Sequence, residues 1–244
     1  MWRQTAIVLA LAAGLLGVAP VASAQDSSLA INFGYFALRG QDSRVTGDIL
    51  NAERCIDTTF ACEPLLFQVK DFNNGTIGAD WVIGLGDYFE ATAGIGYYQE
   101  TVPSIYEFVT NSDGSEIQQD LKLRVVPITA TVRFIPTSRL GAIQPYIGAG
   151  VAFLNWRYSE SGDFVDTSDY SVFRPEPYEA DGWKTAPVVV GGVKAPIGGN
   201  KFLLGGEIKY QWADAELPVG SDGFISDRID LGGFTYSGVL QFRF

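Results

Sequence analysis

Six charged residues lie in segments of this sequence that otherwise alternate between apolar and small or polar residues. Three are acidic and three are basic: Asp80, Glu90, Glu207, Arg133, Lys209 and Arg243. Carboxylates and cations in equal number can form ion pairs when they share an enclosed space, and a buried charge requires such a partner. In an open space, the same side chains would line a narrow path for small solutes. Uncharged polar residues of the same phase would add hydrogen-bonding groups: Asn32, Thr92, Thr129, Gln211 and Gln241.

Other catalytic chemistry has little support in the sequence. The chain contains no histidine, which excludes Ser-His-Asp and Cys-His nucleophilic sites and zinc sites built on histidine. Glu176 with Glu179, and Asp166 with Asp169, have spacings that permit acid–base chemistry, but acidic segments of this kind are usually solvated. Asp163, Asp166 and Asp169 lack the spacing and the glycine of an EF-hand loop. We therefore expect a non-enzymatic protein with no catalytic residue, metal or cofactor.

The N-terminal segment has the features of an export signal. Arg3 precedes an uncharged apolar run over residues 6–21 that ends in Ala22-Ser23-Ala24. This pattern predicts a secretory signal peptide over residues 1–24 that is cleaved after Ala24. No later stretch approaches the roughly 18 consecutive apolar residues of a transmembrane helix. Any membrane span must therefore consist of strands.

The two cysteines, Cys55 and Cys62, are close together in the sequence. An exported chain reaches an oxidising compartment, where a pair with this separation is expected to form a local disulfide. A redox-active or metal-binding pair is disfavoured because there is neither a CxxC spacing nor a histidine. We therefore assign these cysteines a structural role.

Period-two alternation predicts eight β-strands after the signal peptide. It is clearest at the C-terminus, where Phe242 and Phe244 share one face and Arg243 lies on the other. The predicted strands cover residues 28–39, 74–85, 89–98, 121–134, 145–156, 183–194, 202–212 and 231–244. In the fourth strand the apolar positions change phase near Val125–Pro127, which predicts a β-bulge.

The connections between these strands alternate between long and short. Long loops are predicted at about residues 41–73, 101–119, 157–181 and 213–230, and short turns near Asp87, Ser138 and Gly198. Outer-membrane barrels have short periplasmic turns and long external loops, whereas a soluble barrel has no reason to sort its connections in this way. The predicted fold class is all-β, with residues 25–244 forming an eight-stranded antiparallel up-and-down transmembrane β-barrel.

The aromatic residues of such a barrel are predicted to form two girdles at the membrane interfaces. Trp156, Trp183 and Trp212 would lie at the outer end. The opposite girdle would contain Phe89, Phe134, Tyr146, Phe202, Phe242 and Phe244. Because eight strands leave a lumen just wide enough for side chains to fill, a plugged lumen of paired charges is favoured over a conductance pathway.

Net charge limits the partners that the protein can have. The formal charge is −11 at pH 7, and such a chain repels polyanions, so nucleic acid is not an expected partner. Outer-membrane lipid is expected around the barrel, and the acidic loops are expected to face the outside. These loops are therefore the candidate surface for an extracellular partner.

The signal peptide, the eight two-faced strands, the segment PYIGAGVAF at residues 145–153 and a last strand ending in Phe244 together resemble a known family. The chain is similar to the small eight-stranded outer-membrane β-barrels of Gram-negative bacteria, which include the OmpA and OmpX types. The resemblance implies insertion by the barrel-assembly machinery, which recognises terminal aromatic residues such as Phe242 and Phe244. The OmpW type is also similar in strand count, and would imply passage of small hydrophobic molecules.

Three functional hypotheses follow from these observations. The first is a structural or surface-interaction barrel with a lumen filled by side chains and with acidic external loops. The second is a narrow pore or transporter for small molecules, some of them hydrophobic. The third is a soluble carrier similar to lipocalins, which would be recovered from the periplasm without detergent.

Overall fold

A computed structural model of the chain describes residues 27–51, 65–166, 169, 171–199, 201–219 and 224–244. The predicted signal peptide, its cleavage site and the predicted disulfide between Cys55 and Cys62 lie outside these residues.

These residues form β-strands of two sizes. In chain order, the strands are β1 (Ser27–Leu38), β2 (Asn74–Leu85), β3 (Phe89–Thr110), β4 (Glu116–Phe134), β5 (Gln144–Gly162), β6 (Phe164–Val165), β7 (Val172–Phe173), β8 (Tyr178–Ile197), β9 (Phe202–Gln211), β10 (Asp214–Glu216), β11 (Arg228–Asp230) and β12 (Gly233–Arg243). Single 3₁₀ turns occur at Gln41–Ser43 and Val69–Phe72. Among the helices of the described segments, none is long and apolar enough to cross a membrane.

The eight long strands close into an antiparallel barrel in the order β1-β12-β9-β8-β5-β4-β3-β2. Each of them pairs with its neighbours along the chain, and the first strand pairs with the last, from Ser28 opposite Arg243 to Leu38 opposite Gly233. The short strands form two separate ladders, β6 with β7 and β10 with β11. The predicted all-β, eight-stranded up-and-down barrel is confirmed.

Two parts of the molecule differ in how the strands distribute polar residues. We call residues 27–38, 74–98, 125–156, 182–211 and 233–244 the barrel body, and the described residues of 39–51, 65–73, 99–124, 157–181 and 212–232 the extension. In the barrel body, the outward residues are apolar and exposed, as at Phe33, Ile95, Val132 and Ile208. In the extension, the outward residues are mostly polar and the inward ones mostly apolar.

The strands reach further into the extension than the sequence predicted. β3 continues to Thr110 and β4 begins at Glu116, so most of the predicted loop at 101–119 is a β-hairpin. β5 continues to Gly162 and β8 begins at Tyr178, which also shortens the predicted loop at 157–181. The alternation continues in these segments, but the polar residues face outward there. A prediction that assumes apolar outward residues therefore assigns such a segment to a loop.

The predicted β-bulge near Val125–Pro127 is also wrong, because the reversal of polarity between the two faces was interpreted as a change of phase. Odd-numbered residues face inward along the whole of β4, from buried Leu123 to buried Arg133. The register with β5 is unbroken from Gln119 to Phe134. The environment on each side of the strand changes at this point, and the phase of the strand does not.

Buried apolar side chains fill the extension and the adjoining end of the barrel body. This cluster includes Phe36, Leu50, Phe72, Tyr98, Leu121, Leu123, Leu154, Trp156, Tyr158, Phe224 and Leu231. Trp156 therefore faces inward and does not belong to the predicted girdle, and the same correction applies to Tyr146, which is buried against Ile135 and Val190. Both residues lie on β5, whose two faces are similarly apolar, so that the sequence offered no contrast from which to assign its inner face.

Candidate functional site

The lumen of the barrel body contains a connected network of charged side chains. Glu90 on β3 is one of the two centres of this network. Lys194 on β8 donates to both carboxylate oxygens of Glu90 at 2.8 and 2.6 Å. Arg139, from the turn between β4 and β5, approaches the same carboxylate at 3.4 Å. Lys194 also donates to Gln241 Oε1 at 3.0 Å. The negative charge on Glu90 is therefore compensated from two other parts of the chain.

Arg133 on β4 is the second centre of this network. Its Nη2 lies 2.8 Å from Glu207 Oε2 and 3.3 Å from Asp80 Oδ2, and its guanidinium lies 5.1 Å from the ring centroid of Tyr146. The Tyr146 hydroxyl donates to Glu207 at 2.9 Å. Asp80 also accepts a hydrogen bond from Asn32 on β1 at 3.0 Å, and Glu207 forms a further ion pair with Lys209 on the same strand at 3.5 Å.

Five of the six residues predicted from the sequence thus lie together in ion pairs: Asp80, Glu90, Arg133, Glu207 and Lys209. The sixth, Arg243, lies at the rim of the lumen. Its hydrogen bonds include those to the Arg139 carbonyl at 2.9 Å and to Gln144 Oε1 at 3.2 Å. Arg243 therefore holds the turn between β4 and β5 against the barrel.

Sequence reasoning missed two cations of the network, Lys194 and Arg139. Lys194 has the same phase as Val188 and Val190, which face inward, but the uninterrupted run of three valines hides that phase. Arg139 belongs to a turn without periodicity, and its guanidinium folds back over Gly84. A Cβ atom on Gly84 would lie 1.9 Å from Arg139 Nη1, so glycine at this position is what makes room for the guanidinium.

The extension is closed by a second group of buried polar residues that joins its first and last loops. The Asp230 carboxylate accepts hydrogen bonds from Arg39, from Val45 N at 3.0 Å and from Gly232 N at 2.8 Å. Arg44 pairs with Asp48, whose carboxylate also accepts a hydrogen bond from Asp230 N at 2.8 Å. These contacts hold residues 39–51 over the mouth of the barrel, above the apolar cluster.

One acidic side chain inside the extension has no cation beside it among the described residues. Glu160 accepts a hydrogen bond from the Tyr158 hydroxyl at 2.9 Å, and its cross-strand neighbours are Leu121 on β4 and Tyr178 on β8. Burial raises the pKa of the Glu160 carboxyl to about 7, against the lowering effect of the Tyr158 hydrogen bond. Burial also raises the pKa of Tyr158 well above its usual value. The protonation state of Glu160 consequently changes near neutral pH.

A cavity of about 50 Å³ lies in the lumen beside the charged network and is lined by residues of β1, β2, β3, β4, β9 and β12. Its lining includes the polar residues Asn32, Asp80, Thr129, Lys209 and Gln211 and, at the wall, Gly78, Gly96 and Pro127. The register of β3 with β4 is the same on both sides of Pro127, but the pairs between Ile95–Ile128 and Tyr98–Val125 are missing from the ladder. Proline has no N–H to donate, so the ladder between β3 and β4 is interrupted beside this cavity.

The aromatic residues at the C-terminus lie on the outer surface. Phe242 packs against Phe202 with ring centroids 5.2 Å apart, and Phe244 against Trp81 at 5.4 Å. Phe89 and Phe134 form a further exposed pair at 5.2 Å. These rings lie near the short turns, at one end of the apolar outer band, where lipid-facing aromatic residues are expected.

Comparison with known proteins identifies the fold. No protein-family model and no curated protein matches the sequence. The outer membrane protein OprG from Pseudomonas aeruginosa matches with a TM-score of 0.56 and 13% identity, over 91% of this chain and 96% of that chain. The attachment invasion locus protein Ail of Yersinia pestis, in complex with the heparin analogue sucrose octasulfate, gives 0.44 and 11%, over 90% and 99% of the two chains. Outer membrane protein W of E. coli gives 0.38 and 16%, over 91% and 100%.

The similarity to OprG concerns the fold. The apolar outer band of the barrel body is an independent physical argument for a location in a membrane. A continuous exposed apolar surface of this extent is unfavourable in water but suits the hydrocarbon core of a bilayer, which argues against the soluble carrier. The chain therefore has the fold of the small eight-stranded outer-membrane β-barrels, with the outer membrane as its location.

Proposed function

We propose that this protein is a non-enzymatic membrane anchor that holds a rigid acidic extension outside the cell for contact with extracellular partners. The observation that carries the proposal is the filled lumen. Charged side chains occupy the barrel body around Glu90 and Arg133, and an apolar cluster with Asp230 above it occupies the extension. Eight-stranded barrels are narrow enough for side chains to fill in this way.

The outer surface of the extension suits a partner that carries positive charge. Its exposed acidic residues include Asp113, Glu116, Asp120, Glu176, Glu179 and Asp181. Such a surface attracts cationic partners at a distance and raises their association rate at low salt. Asp113, Glu116 and Asp120 belong to the hairpin of β3 and β4, and the other three lie on β8 or directly before it.

Two aspects of biogenesis belong to the same proposal. Phe242 and Phe244 would serve as the terminal signal for the barrel-assembly machinery, since both rings are exposed on the last strand. Cleavage after Ala24 and a disulfide between Cys55 and Cys62 would complete the mature protein. Mass spectrometry of the protein extracted from membranes, before and after reduction and alkylation, tests both covalent predictions.

Single-channel recording in planar bilayers tests the closed lumen. The parent protein should show no stable conductance, whereas Arg139→Ala, which removes a side chain from the network around Glu90, should show an intermittent one. Arg174→Ala is the matched control, because Arg174 pairs with Asp163 on the exposed surface of the extension. Heat-modifiable gel mobility establishes that each variant is folded. A stable, defined conductance of the parent would overturn the proposal.

A second candidate function, passage of small hydrophobic molecules, is favoured by the cavity beside Pro127. The missing pairs between β3 and β4 would let a molecule leave the cavity through the wall into lipid. Gly96→Val should block this route, because a Cβ atom on Gly96 would already lie 3.1 Å from Pro127 Cγ. Gly238→Val, on the outer surface of β12, is the control. Unchanged uptake of small hydrophobic solutes by cells lacking the protein would eliminate this candidate.

A further inference from the structure

Three basic residues lie together on the outer surface of the barrel, at the boundary between the barrel body and the extension. Lys122 and Arg124 alternate with the buried residues Leu121 and Leu123 on β4, so both face outward. In the register of β4 with β5, Arg124 lies directly opposite Arg157. Successive outward residues of a strand are about 7 Å apart, and directly paired residues are about 5 Å apart. The three side chains can therefore reach a common point.

The height of this basic patch is given by the neighbouring row of residues. Val126 is paired with Asn155, and Asn155 with Trp183 on β8. Trp183 is 65% exposed, as expected for an aromatic residue at the membrane interface. Arg124 and Arg157 lie one row beyond Trp183, on the side of the extension. The patch thus lies where the headgroups of the outer leaflet begin.

The positive charges of the patch are incompletely satisfied within the protein. Arg124 Nε is buried without a hydrogen-bond partner among the described residues, and its Nη2 has only a long contact with Asn155 Oδ1 at 3.4 Å. Lys122 forms no ion pair with any residue that the structure describes. Like charges directly opposite each other on neighbouring strands are destabilising. An anion between Arg124 and Arg157 would accept a hydrogen bond from Arg124 Nε and would reduce the repulsion between the two guanidinium groups.

The surroundings of the patch restrict where such an anion can bind. Asp120 lies one row further out on β4, Asp181 lies opposite Arg157, and Glu179 forms an exposed ion pair with Arg157. An exposed pair of this kind stabilises by at most about 1 kcal/mol, so Arg157 can exchange Glu179 for a stronger acceptor. The acidic residues lie towards the extension and β8, and leave the side facing Trp183 and lipid open.

We propose that Lys122, Arg124 and Arg157 bind the phosphate group of a phosphorylated glycolipid in the outer leaflet. Guanidinium groups bind phosphate through paired, charge-assisted hydrogen bonds, and basic residues at the membrane surface bind anionic headgroups. The acyl chains of the lipid lie along the apolar outer surface below Trp183. This site is on the outside of the wall, so it is independent of whether the lumen is closed.

Binding of diphosphoryl lipid A to the full chain in nanodiscs of zwitterionic phosphatidylcholine tests the proposal. The retained lipid is measured by native mass spectrometry, for the parent, for Lys122→Ser/Arg124→Ser and for the control Lys70→Ser/Arg174→Ser. The control removes the same charge from exposed positions of the extension away from the patch. The first double variant should bind about 30-fold more weakly than the parent, and the control should bind like the parent.

Three results would overturn the proposal. Equal retention of lipid A by the patch variant and the parent would show that these cations do not hold it. Equal retention of lipid A from which both phosphates have been removed would show that phosphate is not the recognised group. Competition by millimolar inorganic phosphate that displaces the lipid completely would show a site for the free ion. Normal heat-modifiable mobility of the patch variant excludes misfolding, and a closed or conducting lumen changes none of these outcomes.

Discussion

The barrel body and the extension are parts of the same strands, yet they distribute polar and apolar residues in opposite ways. On β4, inward Thr131 and Arg133 are polar and outward Val132 is apolar, whereas inward Leu123 is apolar and outward Lys122 is charged. The backbone phase is constant across this change. The difference shows that the solvent outside the wall decides which face is apolar, since lipid surrounds one part and water the other.

The two parts consequently differ in what holds their interiors together. Below the ion pairs of Asp48 and Asp230, the interior of the extension is stabilised mainly by burial of apolar surface, which is non-directional and tolerates similar replacements. The interior of the barrel body is stabilised by ion pairs and hydrogen bonds that must match in position and charge. Removing one partner there leaves another charge uncompensated.

The largest difference should appear when Arg133 is replaced by alanine. Asp80 and Glu207 would lose their shared cation in a buried site, and breaking a buried pair in this way lowers the free energy of unfolding by about 3–5 kcal/mol. Arg157→Ala is the matched control, because its pair with Glu179 is exposed and contributes at most about 1 kcal/mol. Urea unfolding in detergent micelles measures both. Equal losses of unfolding free energy in the two variants would contradict the assignment of Arg133 to a buried network and of the Arg157 pair to the surface.

The next effect concerns the outer faces. Val132→Arg places a charge on the lipid-facing surface of β4, one outward residue from Phe134, where the change should destabilise by about 2 kcal/mol, the lower end of the roughly 2–4 kcal/mol expected at the middle of the bilayer. Gln118→Arg places the same side chain on the same strand in the extension, where water surrounds it, and should change stability by less than about 0.5 kcal/mol. Unfolding from lipid vesicles measures the difference. If Gln118→Arg were as destabilising as Val132→Arg, the extension would lie in the membrane.

A pH dependence should distinguish the extension from the barrel body. Because the pKa of Glu160 is raised to about 7, the folded extension binds this proton more tightly than the unfolded chain, in which the pKa of glutamate is about 4.3. Its stability should fall as the pH rises between these two values and be constant above and below them. Glu160→Gln, which keeps an acceptor for Tyr158, should remove this dependence and stabilise the extension at pH 8 by about 1–3 kcal/mol.

Amide hydrogen exchange of the extension at several pH values, corrected for the intrinsic exchange rates, measures this effect. Glu179→Gln is the control, since Glu179 is exposed and its replacement should leave the profile of the parent unchanged. A parent profile that is flat between pH 5 and 7 would contradict the assignment of Glu160.

The smallest effect is expected at the rim of the lumen. Arg243→Ala should remove the hydrogen bonds to the Arg139 carbonyl and to Gln144 and weaken the barrel by about 1 kcal/mol. Since the rim is partly open to water, the loss should be well below that of Arg133→Ala. Heat-modifiable gel mobility measures it, and a variant as heat-resistant as the parent would show that Arg243 does not stabilise the closed rim.

The sequence was sufficient to predict the barrel because the two-faced pattern is strong in the barrel body. On β12 and β9 apolar outward residues alternate with inward residues that are mostly small or polar, Val239 and Leu203 excepted, so the phase of Glu207 and Lys209 could be assigned. It failed on β5 and β8, where both faces are apolar and the phases of Trp156 and Lys194 have no local indicator. The sequence-based prediction also failed where the polarity of the two strand faces reverses. The pattern expected for a strand in lipid was assumed there for a part of the strand that lies in water.

The cations that complete the network come from positions that local pattern cannot connect. Arg139 reaches Glu90 only because the turn between β4 and β5 folds back and Gly84 leaves the space. Such contacts depend on three-dimensional closure of the barrel. Periodicity along one strand carries no information about which turn will enter the lumen.

The contact of Lys194 with Glu90 also has a consequence for the order of assembly. The two residues are 104 positions apart in the chain, and Lys194 further bonds to Gln241 on the last strand. Until β8 and β12 are in place, Glu90 lacks Lys194, the cation that lies nearest to it, and has only the longer contact with Arg139 at 3.4 Å, so that water must supply much of the stabilisation of its charge. We therefore expect water beside Glu90 during strand addition, and its displacement by Lys194 should be a late event that accompanies the joining of β1 to β12.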